Sequence, residues 1–406
     1  MSSPTRPTTP VTEPDFPGAR SARCPFDPPQ QHTEWRERAG LQKVRLSNGK
    51  NAWAVSRYED AKHVLSDPRF SADGRRYPQL LNADDTSAPA AFPRMDDPEH
   101  ARIRRTLTGE FTVRRIESMR PFVREVVHRF ADEFAAAGPP NDLVTGYALP
   151  IPSLVISQLL GVPYEEDHEL FQSCATTLQH MHSTTDQKKA AKRQLFTYLV
   201  ELVERKQDQP GDDLISRLLE QYATTGELTP HMIAMNSMII LHAGHETTAN
   251  MIGLGTLALL QNPDQADIIR DTDDPKTLAT AVEELLRYLS IAQDMVLRVA
   301  TEDLTIGGQA VKEGDMLTLN LPSANRDGIF RNADELDLHR HTRGHLAFGY
   351  GIHQCLGQAL ARVELQEALP AILRRLPNLK LAIPLEQVNF RSDMSAYGVH
   401  ELPLTW

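Results

Sequence analysis

Cysteine is scarce in this chain: three residues in 406, Cys24, Cys174 and Cys355. An odd, widely spaced set builds no disulfide framework and points to a reducing compartment, so a cytoplasmic protein is expected. No run reaches the ~18 consecutive apolar residues that a membrane span needs. The first residues also lack the apolar segment of a signal peptide, and we expect no membrane anchor. Positive charge is in deficit, 43 Lys and Arg against 54 Asp and Glu, a net charge of −11 that argues against a nucleic-acid partner. Repeats, Gly/Ser linkers and low-complexity breaks are missing from residues 30–406, which predicts one large domain there. Residues 1–29 differ: Pro4, Pro7, Pro10, Pro14 and Pro17 punctuate Ser/Thr-rich sequence, the composition of a flexible arm.

What is present is mostly helical periodicity. Helical patterns fill 98–137, 149–160, 165–181, 187–207, 211–223, 230–261, 275–290 and 358–376, with a shorter one from Tyr58 to Leu65. Strand signals are confined to Val44–Val55 around an Asn48-Gly49 turn, to 296–320 and to the tail beyond 377. Residues 71–94 carry Pro78, Pro89 and Pro93 without a period and read as a long loop. The fold class is therefore mainly α with a minor β region.

Two segments break this regularity. Phe348-Gly-Tyr-Gly-Ile-His-Gln-Cys355-Leu-Gly357 sets one cysteine in a glycine-punctuated loop directly before a helix. A sulfur there lies near the helix's positive end, which favours the thiolate. Gly349, Gly351 and Gly357 allow the close approach of a flat, bulky group. A lone axial cysteine suits haem iron. Two other readings stand beside this one: an inert buried thiol, or half a zinc site with His353, for which no paired ligands lie nearby. In the second segment, Ala243-Gly-His-Glu-Thr-Thr248 places small and polar residues in the middle of a long apolar helix. Such a local inconsistency marks candidate functional sites. Thr247 can hydrogen-bond back to the carbonyl of Ala243, and Gly244 removes bulk, which predicts a small groove.

The pattern Phe-Gly-x-Gly-x-His-x-Cys-x-Gly resembles the haem-ligand loop of the cytochrome P450 family. The second segment is similar to that family's Ala/Gly-Gly-x-Asp/Glu-Thr-Thr/Ser motif. The resemblance runs from about residue 35 to the end and looks like the actinomycete subgroup that oxidises macrolides and xenobiotics. It implies haem b bound by Phe348, Gly349, Cys355 and Gly357, with Cys355 as the iron ligand. His100, Arg104, Arg298 and His353 match partners of the haem propionates. Ala243 and Gly244 match the oxygen groove, Glu246 the acid and Thr247 the alcohol of a proton relay. Glu284, Arg287 and Arg340 match a structural trio. His245 occupies the motif's variable position and is expected at the wall or surface.

The resemblance further implies a monomeric monooxygenase that inserts one oxygen atom of O2 into a hydrophobic small molecule. No electron-carrying domain is visible, so electrons would come from a ferredoxin and its reductase. Arg102, Arg104, Arg105, Arg114, Arg115 and Arg120, set against Glu110 and Glu117, form a basic cluster that could steer an acidic carrier. The pocket walls would come from 71–94, 167–195, 235–248, 291–297 and 394–397, including Met181, Met238, Ile239, Ile291, Met295, Val296, Met394 and Tyr397. Readings from other classes are a non-catalytic haem or ligand-binding sensor and a peroxide-driven haem-thiolate enzyme; oxidative coupling or desaturation could replace hydroxylation.

Overall fold

The structure, a computed structural model, describes residues 13–20, 24–80 and 91–406. The first part of the chain holds β1 (Asp15–Phe16), α1 (Gln30–Glu37), β2 (Gln42–Leu46), β3 (Asn51–Val55), α2 (Tyr58–Ser66) and β4 (Phe70–Ser71). A helical series follows: α3 (Glu99–Thr108), α4 (Val113–Ala137), the short strand β5 (Asn141–Asp142), α5 (Pro150–Leu160), α6 (Tyr164–Gln179), α7 (Thr185–Asp208) and α8 (Leu214–Thr225). Next come α9 (Pro230–Gln261), α10 (Pro263–Asp271) and α11 (Pro275–Leu289). Strands β6 (Leu297–Ala300), β7 (Leu304–Ile306), β8 (Gln309–Val311) and β9 (Met316–Leu319) precede α12 (Leu321–Ala324) and α13 (Gln358–Arg375), and β10 (Lys380–Leu381) and β11 (Pro403–Thr405) close the chain.

Helix α9 organises the molecule. Thr229 caps it by accepting from the Met232 N–H at 3.3 Å, and Pro230 occupies the first turn, where its missing donor costs nothing. Its residues are apolar on every side, which suits a helix buried all round. Helix α5 packs along it, and α13 packs against α4, α9 and α11. The main sheet runs β1-β2-β3-β9-β6-β4, with β3 and β9 parallel (Trp53 opposite Leu317) and β6 and β9 antiparallel (Arg298 opposite Leu317).

Two expectations change. The single helical run over 98–137 is split: Gly109–Phe111 tightens into a 3-10 turn, and Thr112 starts α4 afresh by accepting from the Arg115 N–H at 3.4 Å. Part of the expected flexible arm lies outside the described residues. The remainder is tied down, since β1 pairs with β2 and both Phe16 and Phe26 are buried. The loop over 71–94 contains 3-10 turns at Pro78–Leu80 and Phe92–Arg94, with 81–90 outside the described residues.

Candidate active site

A cavity of about 370 Å³ opens between α9 and the Cys355 loop, with a mainly apolar wall. On the loop side the backbone is held by a Cys355 N–H that donates to the Phe348 carbonyl at 2.9 Å. Gly351, at φ +72°, lets the loop press against α2; a Cβ there would sit 2.4 Å from the Leu65 carbonyl oxygen. Gly349, also at positive φ, and Gly357 face open space and line the cavity with Phe348 and Cys355. Cys355 is open to this cavity, yet burial within the protein pushes its thiol above the ordinary value. The Gly357 and Gln358 N–H groups and the charges of Arg104 and Arg362 pull the other way. The start of α13 does not, on its own, yield the thiolate the sequence led us to expect; coordination to a metal ion would.

On the α9 side, Ala243, Gly244, Thr247 and Thr248 line the cavity. The Thr247 hydroxyl donates to the Ala243 carbonyl at 2.6 Å, as the spacing predicts, and α9 continues unbroken through the segment. A Cβ on Gly244 would stand 2.8 Å from Ile156 Cγ1, so this glycine also lets α5 approach α9. Glu246 is not part of the wall. It is 2% exposed and accepts from Arg391 Nη2 at 2.8 Å and the Thr176 hydroxyl at 3.4 Å. Burial raises its pKa, and Arg391 opposes that shift. His245, expected at the wall or surface, is buried, with Nδ1 2.7 Å from the Ser153 hydroxyl.

The four expected anion partners come together. The His100 and His353 rings lie 4.1 Å apart, and His100 Nε2 and His353 Nδ1 are buried without partners among the described residues. Arg298 is buried and donates to the Leu297 carbonyl at 2.8 Å; Arg104 donates to the Gln354 carbonyl at 2.6 Å. Burial drives the Arg298 pKa down to about 10, with the charge of Arg94 adding to the effect. Burial also lowers His100, Arg104 and His353. Among the described residues the one carboxylate touching this group is Asp97, 3.2 Å from His100 Nδ1. Such a cluster lacks counter-charge and suits a ligand with two carboxylates. Together with a cysteine sulfur and two glycines clear of neighbours, these residues fit haem b.

Sequence reasoning missed Arg94, Glu364 and Arg391. Arg94 and Glu364 line the cavity. Burial pushes Glu364 up to about 8, against a hydrogen bond from Thr248, so its carboxyl is mainly protonated at neutral pH. A glutamate within the apolar stripe of α13 was its available signal; Arg391 meets Glu246 across 145 positions and had none. Of the expected wall residues, Ile239, Ile291, Met295 and Val296 line the cavity, whereas Met238, Met394 and Tyr397 are buried core outside it. Glu284 and Arg287, both 0% exposed, form a two-bond pair at 2.7 and 2.8 Å, and Arg340 reaches Glu284 at 3.1 Å. No helix among the described residues is long and apolar enough to cross a membrane.

Comparison with known proteins agrees with this geometry. The cytochrome P450 family model matches residues 43–201 and 183–387. The chain is 46% identical over 404 residues to cytochrome P450-SU2 of Streptomyces griseolus, covering 98% of each chain. It is 47% identical over 401 residues to cytochrome P450 GfsF of Streptomyces halstedii, covering 97% of this chain and 96% of that protein. The structure of the mycinamicin VIII C21 methyl hydroxylase of Micromonospora griseorubida, bound to mycinamicin VIII, superposes with a TM-score of 0.90 at 38% identity, covering 97% of this chain and 100% of that one. With the cysteine loop, the Ala243–Thr248 segment of α9 and these relatives in agreement, the chain belongs to the cytochrome P450 family and is a haem b monooxygenase.

Proposed function

We propose that this enzyme hydroxylates an apolar small molecule, with Cys355 as the iron ligand and the α9 wall as the oxygen side. The observation that carries this reading is the shared cavity, in which the Cys355 sulfur, Ala243 and Thr247 line one apolar space. Bound haem b supplies the activation of dioxygen. The chain's own residues divide the remaining work. His100, Arg104, Arg298 and His353 would hold the propionates by charge-assisted hydrogen bonds. The Thr247 hydroxyl donates to the Ala243 carbonyl, which leaves its oxygen free to accept a hydrogen bond from a water in the cavity. Glu246 would bring protons from outside the wall when Arg391 releases it, and Thr247 would hand them into the cavity. Ile239, Ile291 and Val296 exclude bulk water and hold the substrate by burial of apolar surface.

The related methyl hydroxylase supports hydroxylation as the reaction. Electrons would come from a ferredoxin and its reductase. The scarce cysteines support a cytoplasmic location, the unbroken composition of 30–406 supports a single domain, and we take the working form to be a monomer. The test is the carbon monoxide difference spectrum of dithionite-reduced protein beside Cys355→Ser. A strongly red-shifted Soret band, lost in the variant, is expected. A folded, haem-containing wild type without that band would overturn thiolate ligation by Cys355.

A further inference from the structure

Arg94 is not one of the four expected propionate partners, although its charge reaches Arg298 and His353. It ends the 3-10 turn Phe92–Arg94, and its side chain lines the cavity. Of the five donors on its guanidinium, one makes a long bond, 3.5 Å, to the Met295 carbonyl. Its side chain is half-buried, and the loss of solvent there lowers its pKa. The charge nearest to balancing it is Asp294, beside the wall residues Met295 and Val296.

Asp294 does not close the account. Its Oδ2 accepts from the Ser47 hydroxyl at 2.9 Å, and its Oδ1 is buried without a partner among the described residues. Its charge is also shared with Lys188 of α7, half-buried and itself lowered by burial. Among the described residues, neither Arg94 nor Lys188 comes within the 4.0 Å of an ion pair with Asp294. Among the described residues, two cations therefore face one carboxylate at this edge of the cavity. Arg104 and Arg298 already match the two propionates in charge, while His100 and His353 add donors. One positive charge remains over in a mainly apolar wall, and a half-buried charge of that kind is stabilised by a partner of opposite sign.

We propose that Arg94 reads the substrate's head group: the enzyme takes apolar acids, whose carboxylate pairs with the Arg94 guanidinium at the cavity wall. A planar guanidinium suits a carboxylate because two parallel N–H···O bonds form at once, which fixes orientation as well as adding affinity. Arg94 is then a specificity-determining residue that leaves the apolar body to the hydrophobic wall. The inference rests on the reading of this cavity as the haem and substrate chamber.

The test is calorimetric titration of the holoenzyme with decanoic acid and with decan-1-ol at pH 8, where the acid is ionised. In the wild type the acid should bind about tenfold more tightly than the alcohol, equivalent to ~1.4 kcal/mol. Arg94→Gln should erase this ratio by weakening decanoate alone. Asp294→Asn should raise it, because it removes the competing negative charge. Equal wild-type affinities, or an unchanged ratio in Arg94→Gln, would overturn the proposal. If Arg94→Gln fails to retain haem, Asp294→Asn decides: a raised ratio supports the assignment and an unchanged one defeats it. Failure of the haem-thiolate reading is seen separately, as a missing red-shifted Soret band in the same wild-type preparation.

Discussion

At the scale of single residues, the oxygen side of the cavity turns on two adjacent side chains that face different ways. Thr247 looks into the cavity, while Glu246 looks away from it into Arg391 and Thr176. A relay built from this pair has an inner and an outer member, and removing each should fail differently. Thr247→Ala deletes the hydroxyl at the wall and leaves Cys355 and the propionate partners untouched. The variant should keep its haem and its red-shifted Soret band while product formed per electron pair falls about a hundredfold, the low end of the range for general acid–base groups. The lost electrons should be recovered as hydrogen peroxide or water. Measuring product, peroxide and electron-donor consumption together checks this; full coupling in Thr247→Ala would remove Thr247 from the relay.

At the scale of elements, what was legible depended on how local the cause was. The cysteine loop and the Thr247 back-bond to Ala243 join residues a few positions apart and can be read locally, and the Glu284–Arg287 pair, three apart, was identified by its match to the family motif. The helical patterns beginning at 230 and 275 agree with the caps at Thr229 and Asp274, whose side chains accept from N–H groups within one turn, whereas α7 starts at Thr185, two residues before the pattern at 187. Tertiary causes were not legible. Met238, Met394 and Tyr397 had the right chemistry for a pocket wall but became core, since which side of a helix or hairpin faces the cavity is decided by packing. Arg94 and Arg391 were invisible as site residues because their partners are distant in sequence. Gly244 shows both regimes at once: its small size was read as a groove for oxygen, and it is also the contact at which α5 and α9 meet. Gly244→Ala should therefore destabilise the protein although alanine favours helix by ~1 kcal/mol, because overpacking costs about 1–3 kcal/mol. Denaturation of Gly244→Ala, Ile156→Ala and the double variant separates the two effects. The double variant should be more stable than the sum of the singles by ~1 kcal/mol, and strict additivity would show that the close approach is not what demands glycine.

At the scale of the whole molecule, an acidic protein displays a basic edge, and the structure sorts its arginines. Arg115 pairs with Glu110 at 3.1 Å, and Arg120 pairs with Glu117 and Glu367 at 2.7 and 2.8 Å. Arg104 turns inward to the Gln354 carbonyl, and Arg102 donates to the Glu227 carbonyl at 3.0 Å. Arg105 and Arg114 remain exposed, and Val113, next to Arg114 in the chain, is 70% exposed. Helix α3 is bound to the Cys355 loop through Arg104, which puts Arg105, one residue on, near the loop that would carry the iron ligand. Charge, an apolar contact and a short path then meet in one place, as an acidic electron carrier would require. Arg105→Glu and Arg114→Glu should each slow reduction by the carrier about tenfold at low salt and leave the carbon monoxide spectrum unchanged. The deficit should shrink as added salt shortens the Debye length toward ~3 Å at about 1 M, because screened charges no longer steer. Arg115→Gln serves as the contrast: its charge is already opposed by Glu110, so its rate should change much less. Stopped-flow reduction across a salt series distinguishes the cases. Wild-type rates in both charge-reversed variants at low salt would move the carrier's docking site off this edge.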